Sequence, residues 1–157
     1  MRFRKIAAVQ IWLAATWVCV VRLKTYIVED NPTIRENLIG TLEELACIET
    51  VGVAETENDG KAWLSAQGQQ WDLAIVDLFL KQGSGLGVLA ACRNRKPEQK
   101  VVVLSNYATP DIRHRCAQLG VDAVFDKSNE IDALVEYCTE QTRKLESVDT
   151  RPRTTGA

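Results

Sequence analysis

An aspartate, Asp77, closes the unbroken apolar run Leu73-Ala74-Ile75-Val76 and opens a loop that ends in Gly83-Ser84-Gly85. An acid pair, Glu29-Asp30, follows the run Thr25-Tyr26-Ile27-Val28. A hydroxyl, Ser105, follows Val101-Val102-Val103-Leu104, and Lys127 stands two residues after Phe125. Three carboxylates brought within a few ångströms of one another repel, and their pKa values rise unless a cation joins them. A hard divalent ion answers that need, because Mg²⁺ takes oxygen ligands and keeps several waters beside one or two carboxylates and a phosphate. A carboxylate so placed can attack a phosphoryl group, a transfer in which catalysis is mostly positioning and charge neutralisation. The lysine offers a point charge, and the serine hydroxyl a hydrogen bond, to phosphoryl oxygens. Taken singly, each residue has a plain alternative: Asp30 as a helix N-cap, Glu29 as a turn residue, Ser105 as a strand-end hydroxyl, Lys127 as a surface charge. Their joint order along the chain is what sets them apart.

The elements that position these residues read as five βα units. Apolar, β-rich runs recur at Thr25–Val28, Thr50–Ala54, Leu73–Val76, Val101–Leu104 and Ala123–Phe125, each followed by a segment with helical spacing. Such alternation implies a parallel sheet covered on both faces. Five units cannot close an eight-stranded barrel, so the sheet is open and doubly wound, and its ligand crevice lies beyond the carboxyl ends of the strands. That rule alone gathers Glu29, Asp30, Asp77, Ser105 and Lys127 into one crevice. The first helix is signposted by Asp30 or Asn31 as cap, Pro32 in the first turn, capping-box spacing of Thr33 and Glu36, and Ile34, Leu38, Leu42 and Leu45 along one face. Further helices are expected near Asp59–Ala66, near Leu86–Arg95 with Pro97 ending it, and from Pro110-Asp111 to Gly120. The last opens after Ser128-Asn129 and buries Ile131, Leu134, Val135 and Cys138. Beyond about Leu145 the chain turns polar and is expected to be disordered.

At 157 residues the chain has the size of one domain with a single core. A net charge of −2 carries no basic footprint for nucleic acid. The five cysteines (Cys19, Cys47, Cys92, Cys116, Cys138) form no C-x-x-C pair, which argues against a zinc knuckle or a redox motif, and their odd number fits free thiols in a reducing cytosol. His114, the sole histidine, falls on a predicted helix with no catalytic partner nearby and reads as a surface residue.

The acid pair, Asp77, Ser105 and Lys127 in this order and spacing, with Gly85 eight residues beyond Asp77, resemble the phosphoacceptor site of a bacterial response-regulator receiver domain, over roughly residues 23 to 143. The resemblance implies a flavodoxin-like five-stranded sheet of order 2-1-3-4-5 with helices on both faces. It implies Asp77 as phosphoacceptor, with Mg²⁺ held by Asp30, by Asp77, by Glu29 directly or through water, and by the backbone carbonyl of Phe79. Ser105 and Lys127 then contact the phosphoryl group, and Ser105 and Phe125 form the switch that alters the face made by the fourth helix, the fifth strand and the fifth helix. The implied partners are a histidine kinase or a histidine phosphotransfer protein, and a downstream protein target; a homodimer stays open, and no direct nucleic-acid contact is expected. The chain departs from the family pattern at Lys81, where proline is frequent, and at Asn106, where a small residue is usual. Phe79 and Tyr107 stand at variable positions that border the path of an attacking water, and their bulk is expected to slow hydrolysis of the aspartyl phosphate.

Two rivals bear comparison. A receiver that is never phosphorylated would serve purely as an interaction module, against which stands the complete site. A phosphohydrolase with an aspartate nucleophile would carry a second acid two residues on, and that position is Phe79. The division expected is an apolar extension over 1–22, a receiver over 23–145 and a polar tail over 146–157. For the extension three readings are open: a misplaced start, with Val20 or Val21 as the alternative; a helix that packs or dimerises through Trp12 and Trp17; and membrane contact of residues 6–21, which are shorter than the roughly 20 residues that span a bilayer. A stand-alone receiver of this kind would reside in the cytoplasm.

Overall fold

The structure, a computed structural model, describes residues 19–149. Strands β1 (Leu23–Val28), β2 (Ile48–Ala54), β3 (Leu73–Val76), β4 (Lys100–Ser105) and β5 (Ala123–Asp126) alternate with helices α1 (Pro32–Leu45), α2 (Glu57–Ser65), α3 (Gly85–Ala91), α4 (Pro110–Gln118) and α5 (Ile131–Asp149). The strands form one parallel sheet of order β2-β1-β3-β4-β5, the flavodoxin-like arrangement expected.

Side-chain alternation along the strands divides the core in two. Leu73 and Ile75 join Ile27, Val102, Leu104 and Phe125 against Leu38 and Leu42 of α1 and Leu134 and Cys138 of α5. Ala74 and Val76 join Tyr26, Val28, Val101 and Val103 against Leu64 of α2, Val88 and Leu89 of α3 and Cys116 of α4. Strands β3 and β4 are therefore apolar on both faces, which is why their sequences read as unbroken runs.

Local chemistry fixes the helix starts. The side chains of Asn31, Thr56, Ser84 and Thr109 each accept a hydrogen bond from a first-turn amide of α1, α2, α3 and α4 respectively, and Pro32 and Pro110 lie in first turns where no donor is lost. Of the two expected caps, Asn31 rather than Asp30 is therefore the cap of α1, and Leu45 at its end is exposed instead of joining the Leu38–Leu42 stripe. Helix α3 stops at Ala91, short of the expected Arg95, because the Arg95 guanidinium folds back onto the carbonyls of Cys92 and Gln99 and reaches Gly120 and Asp122. Helix α5 runs past Leu145 to Asp149, so the polar stretch expected to be disordered begins as helix; buried Thr142 bonds to the carbonyls of Cys138 and Ala46.

The cysteines are not all free thiols. Cys19 and Cys47 form a disulfide, while Cys92, Cys116 and Cys138 are buried as thiols. Parallel pairing of Leu23 with Ile48 lays the chain before β1 beside the α1–β2 turn, which brings together two cysteines 28 residues apart in sequence. The apolar stretch of residues 6–18, with Trp12 and Trp17, and the tail from residue 150 onward lie outside the described residues. Among the described residues no helix is long and apolar enough to cross a membrane.

Candidate functional site

Each acid reaches the crevice because a strand ends beneath it. The amide of Glu29 donates to Ala54 O of β2 and that of Asp77 to Val28 O of β1, so both residues leave the sheet at its carboxyl edge. Glu29, Asp77 and Ser105 are 3%, 7% and 0% exposed, and Asp30 is half-buried at the rim. One ligand oxygen from each of Glu29, Asp30 and Asp77 lies within 4.8 Å of the others. Lys127, carried by the turn after β5, extends its ammonium between them, donating to Glu29 Oε2 at 2.5 Å and to Asp77 Oδ2 at 2.9 Å.

Burial pushes the Glu29 carboxyl above its ordinary range, against the opposing hydrogen bonds from Lys127 and the Asn31 amide. Burial alone would lower Lys127, yet its hydrogen bonds to Glu29 and Asp77 outweigh it and hold the ammonium above its usual value. Three carboxylates against one ammonium leave two negative charges unmatched. An all-oxygen donor set with that deficit fits a hard divalent cation such as Mg²⁺.

The loop from Leu78 to Ser84 walls one side. The Phe79 amide donates to Asp77 Oδ1 at 3.2 Å, and the Lys81 amide to Asp30 Oδ2 at 2.8 Å. Lys81 thus enters the site through its backbone. Gly85 is required, since a methyl there would overlap the carbonyl oxygen of Asp77. Phe79 and Tyr107 are exposed, 54% and 60%, and meet edge to face with ring centroids 5.0 Å apart. Across the crevice Ser105 Oγ accepts from the Tyr107 amide. Asn106 lines, with Ile34, Leu38, Leu104, Lys127 and Ile131, a groove of about 350 Å³ between α1 and α5. Phe125 is buried and packs edge to face on Tyr137 of α5 at 5.8 Å. His114 is exposed on α4, near Gln118.

Three supporting residues had no place in the sequence reading. Arg35 of α1 donates to the Glu29 carbonyl at 2.8 Å and pairs with Glu55. Arg113 of α4 donates to Ala108 O, Val124 O and Glu130 Oε1, and that same carboxylate oxygen also accepts from the Asp126 amide. Glu57 of α2 reaches the loop end, accepting from the Ser84 amide at 2.7 Å. All three act on backbone groups, Glu57 from 27 residues away, and backbone groups leave no residue-type signature. For Glu57 alone there was a hint: glycines at 83, 85 and 87 signal a close approach without naming what approaches.

Comparison with known proteins follows the same lines. The family model for the response regulator receiver domain matches residues 25–139. A putative transcriptional regulator of Pseudomonas aeruginosa is 31% identical over 112 residues, covering 71% of this chain and 53% of that protein. The chain thus spans about half the length of that relative. Among solved structures, the receiver domain of the Francisella response regulator 1452 superposes with a TM-score of 0.67 at 18% identity, over 79% of this chain and 99% of the other. A Burkholderia pseudomallei response regulator with a phosphorylated aspartic acid, calcium ion and citrate has a TM-score of 0.63 at 18% identity, over 82% and 73%. At these identities the structural matches speak for the fold.

Proposed function

The chain belongs to the response-regulator receiver family, and from that premise we propose that Asp77 is a phosphoacceptor served by a histidine kinase or a histidine phosphotransfer protein. A carboxylate oxygen of Asp77 attacks the phosphorus of a phosphohistidine; the new O–P bond makes an acyl phosphate as the N–P bond breaks, and the electron pair returns to the imidazole. Asp30 and Asp77, Glu29 directly or through water, and the Phe79 carbonyl would hold Mg²⁺, which supplies neutralisation of the phosphoryl charge. Lys127 already sits against Asp77, so its ammonium can pass from the carboxylate to a phosphoryl oxygen without crossing the crevice. Ser105, wholly buried at the end of β4, supplies a hydroxyl to a second oxygen.

The observation that carries this reading is the convergence of three carboxylates and one lysine, from the ends of β1, β3 and β5, on a space with an unmatched double negative charge. Phosphorylation adds about two negative charges at pH 7, which draw Ser105 and Lys127 together. Phe125, packed on Tyr137, would then change rotamer and remodel the face of α4, β5 and α5 for a downstream protein. The chain turns over no external substrate in this reading, acting by phosphorylating and dephosphorylating itself, and a homodimer through the remodelled face is one form the output can take.

Incubation with Mg²⁺ and acetyl phosphate or phosphoramidate, followed by intact mass measurement, tests the proposal. One phosphoryl mass gained by the wild type and not by Asp77→Ala is the expected result. No gain, together with no Mg²⁺-dependent binding of beryllofluoride, would refute it and leave a receiver fold used as a phosphorylation-independent interaction module.

A further inference from the structure

We infer that Glu57, outside the acidic cluster, is a positioning residue that holds the Asp77 loop in the shape that the metal site needs. The inference rests on the reading of Glu29, Asp30 and Asp77 as the Mg²⁺-holding phosphoacceptor cluster.

A glutamate in the first turn of a helix is ordinarily explained by the helix dipole and needs nothing around it. Glu57 has more. Its Oε2 accepts the Ser84 amide at 2.7 Å, and its own amide donates to Gln82 O at 3.2 Å, so the start of α2 grips the loop through side chain and backbone together. The carboxylate lies in a hollow made by absent side chains: a methyl at Gly83 or Gly87 would overlap Glu57 side-chain atoms. Gly83 has φ +83°, where any other residue is strained, but Gly87 has no positive φ. At Gly87 the three atoms nearest to an added methyl all belong to the Glu57 side chain. Lys61, at 3.7 Å from Glu57 Oε1, adds an ion pair on the solvent side.

The segment so gripped contains Phe79 and Lys81. At its near end it is tied to the cluster itself, through Phe79 N–H to Asp77 and Lys81 N–H to Asp30. Those ties depend on carboxylates that a cation would claim. Glu57 provides the anchor that does not compete with the metal, and it fixes the far end of the loop whichever way Asp30 turns.

The test compares wild type, Glu57→Ala, Glu57→Gln, Gly87→Ala and the Glu57→Ala/Gly87→Ala pair by Mg²⁺ titration calorimetry and by thermal melting without metal. Glu57→Ala is expected to weaken Mg²⁺ binding by about tenfold, the scale of losing a group that orients a metal ligand set. Glu57→Gln keeps an acceptor for the Ser84 amide and should retain most of the affinity. Gly87→Ala should mimic Glu57→Ala, because its methyl expels the carboxylate, while in the Glu57→Ala background it should cost nothing more in affinity or melting temperature. Tight Mg²⁺ binding by wild type and Glu57→Ala alike, or additive losses in the pair, would overturn the role of Glu57 and leave the cluster reading intact. A wild type that binds no Mg²⁺ would overturn the cluster reading, and the role of Glu57 with it.

Discussion

Replacing Asp30 by asparagine should stabilise the metal-free protein and destabilise it relative to wild type once Mg²⁺ is present. Asp30 has ligand oxygens within 4.8 Å of both Glu29 and Asp77, and Lys127 pairs with those two and not with Asp30. Two unit charges at that distance repel by about 3.5 kcal/mol at an effective dielectric of 20, and by about 0.9 kcal/mol in water. Asp30 is half-buried, and solvent screening brings its two repulsions, less a longer-range attraction to Lys127, to a net of about 1–2 kcal/mol. The asparagine oxygen still accepts the Lys81 amide, so the loop contact survives. In urea with EDTA the unfolding midpoint of Asp30→Asn should therefore rise by roughly 0.5–1 M, for an m-value of about 2 kcal/mol/M. With Mg²⁺ at 100 times its dissociation constant, wild type gains about 2.7 kcal/mol and the variant, missing a ligand, far less, so the order of stability inverts. A variant less stable than wild type in EDTA, or a stability difference that Mg²⁺ leaves unchanged, would refute the view of this cluster as an unneutralised cation site.

Other outcomes follow from single contacts. Phe79→Asn removes half of the exposed aromatic pair beside Asp77 and should hasten loss of the phosphoryl group several-fold, measured by the decay of phosphorylated mass; an unchanged half-life would sink the shielding role. The hydrogen bond from Arg113, with that from the Asp126 amide, holds the Glu130 carboxyl below its ordinary 4.5. A carboxyl whose folded pKa is lowered adds stability above its unfolded value and loses it as pH falls through the folded one. The stability gap between wild type and Arg113→Ala should therefore be constant near neutrality and narrow below about pH 4.5, and a gap indifferent to pH would count against the pair. Denatured without reductant, the protein should expose the three thiols Cys92, Cys116 and Cys138, and after reduction all five cysteines. Loss of the 28-residue bridge should lower stability by roughly 3 kcal/mol, whereas five reactive thiols at the outset would exclude it.

The sheet and its crevice were legible because strand and helix patterns alternate cleanly: Leu73–Val76 and Val101–Leu104 are buried on both faces, and start signals such as Asn31-Pro32 after β1 and Pro110 after β4 mark the helices. The cluster was legible because strand ends determine where acids fall. What escaped was whatever depends on a partner distant in sequence. Cys47 meets Cys19 only because β1 and β2 are neighbours, and Arg95 terminates α3 through carbonyls and an acid from other segments. The polar residues after Leu145 suggested an end to order, but buried Thr142 has both of its contacts within the fold, and the helix continues beyond it. Glu57, two residues before the helix expected from Asp59, depends on the Ser84 amide and on the hollow at Gly87, both remote from it in sequence.

Arg113 has a mechanical consequence. One planar guanidinium links Ala108, three residues beyond Ser105, to Val124, immediately before Phe125, and to Glu130, whose carboxylate also takes the Asp126 amide just ahead of Lys127. The two walls of the crevice that carry Ser105 and Lys127 are therefore geared. Neither can swing through an ångström without dragging the other or parting a hydrogen bond of this bracket, so the crevice has fewer independent hinges than it has loops. A single concerted stroke of the two walls is the expected outcome, and hydrogen exchange at amides on them should rise and fall in step.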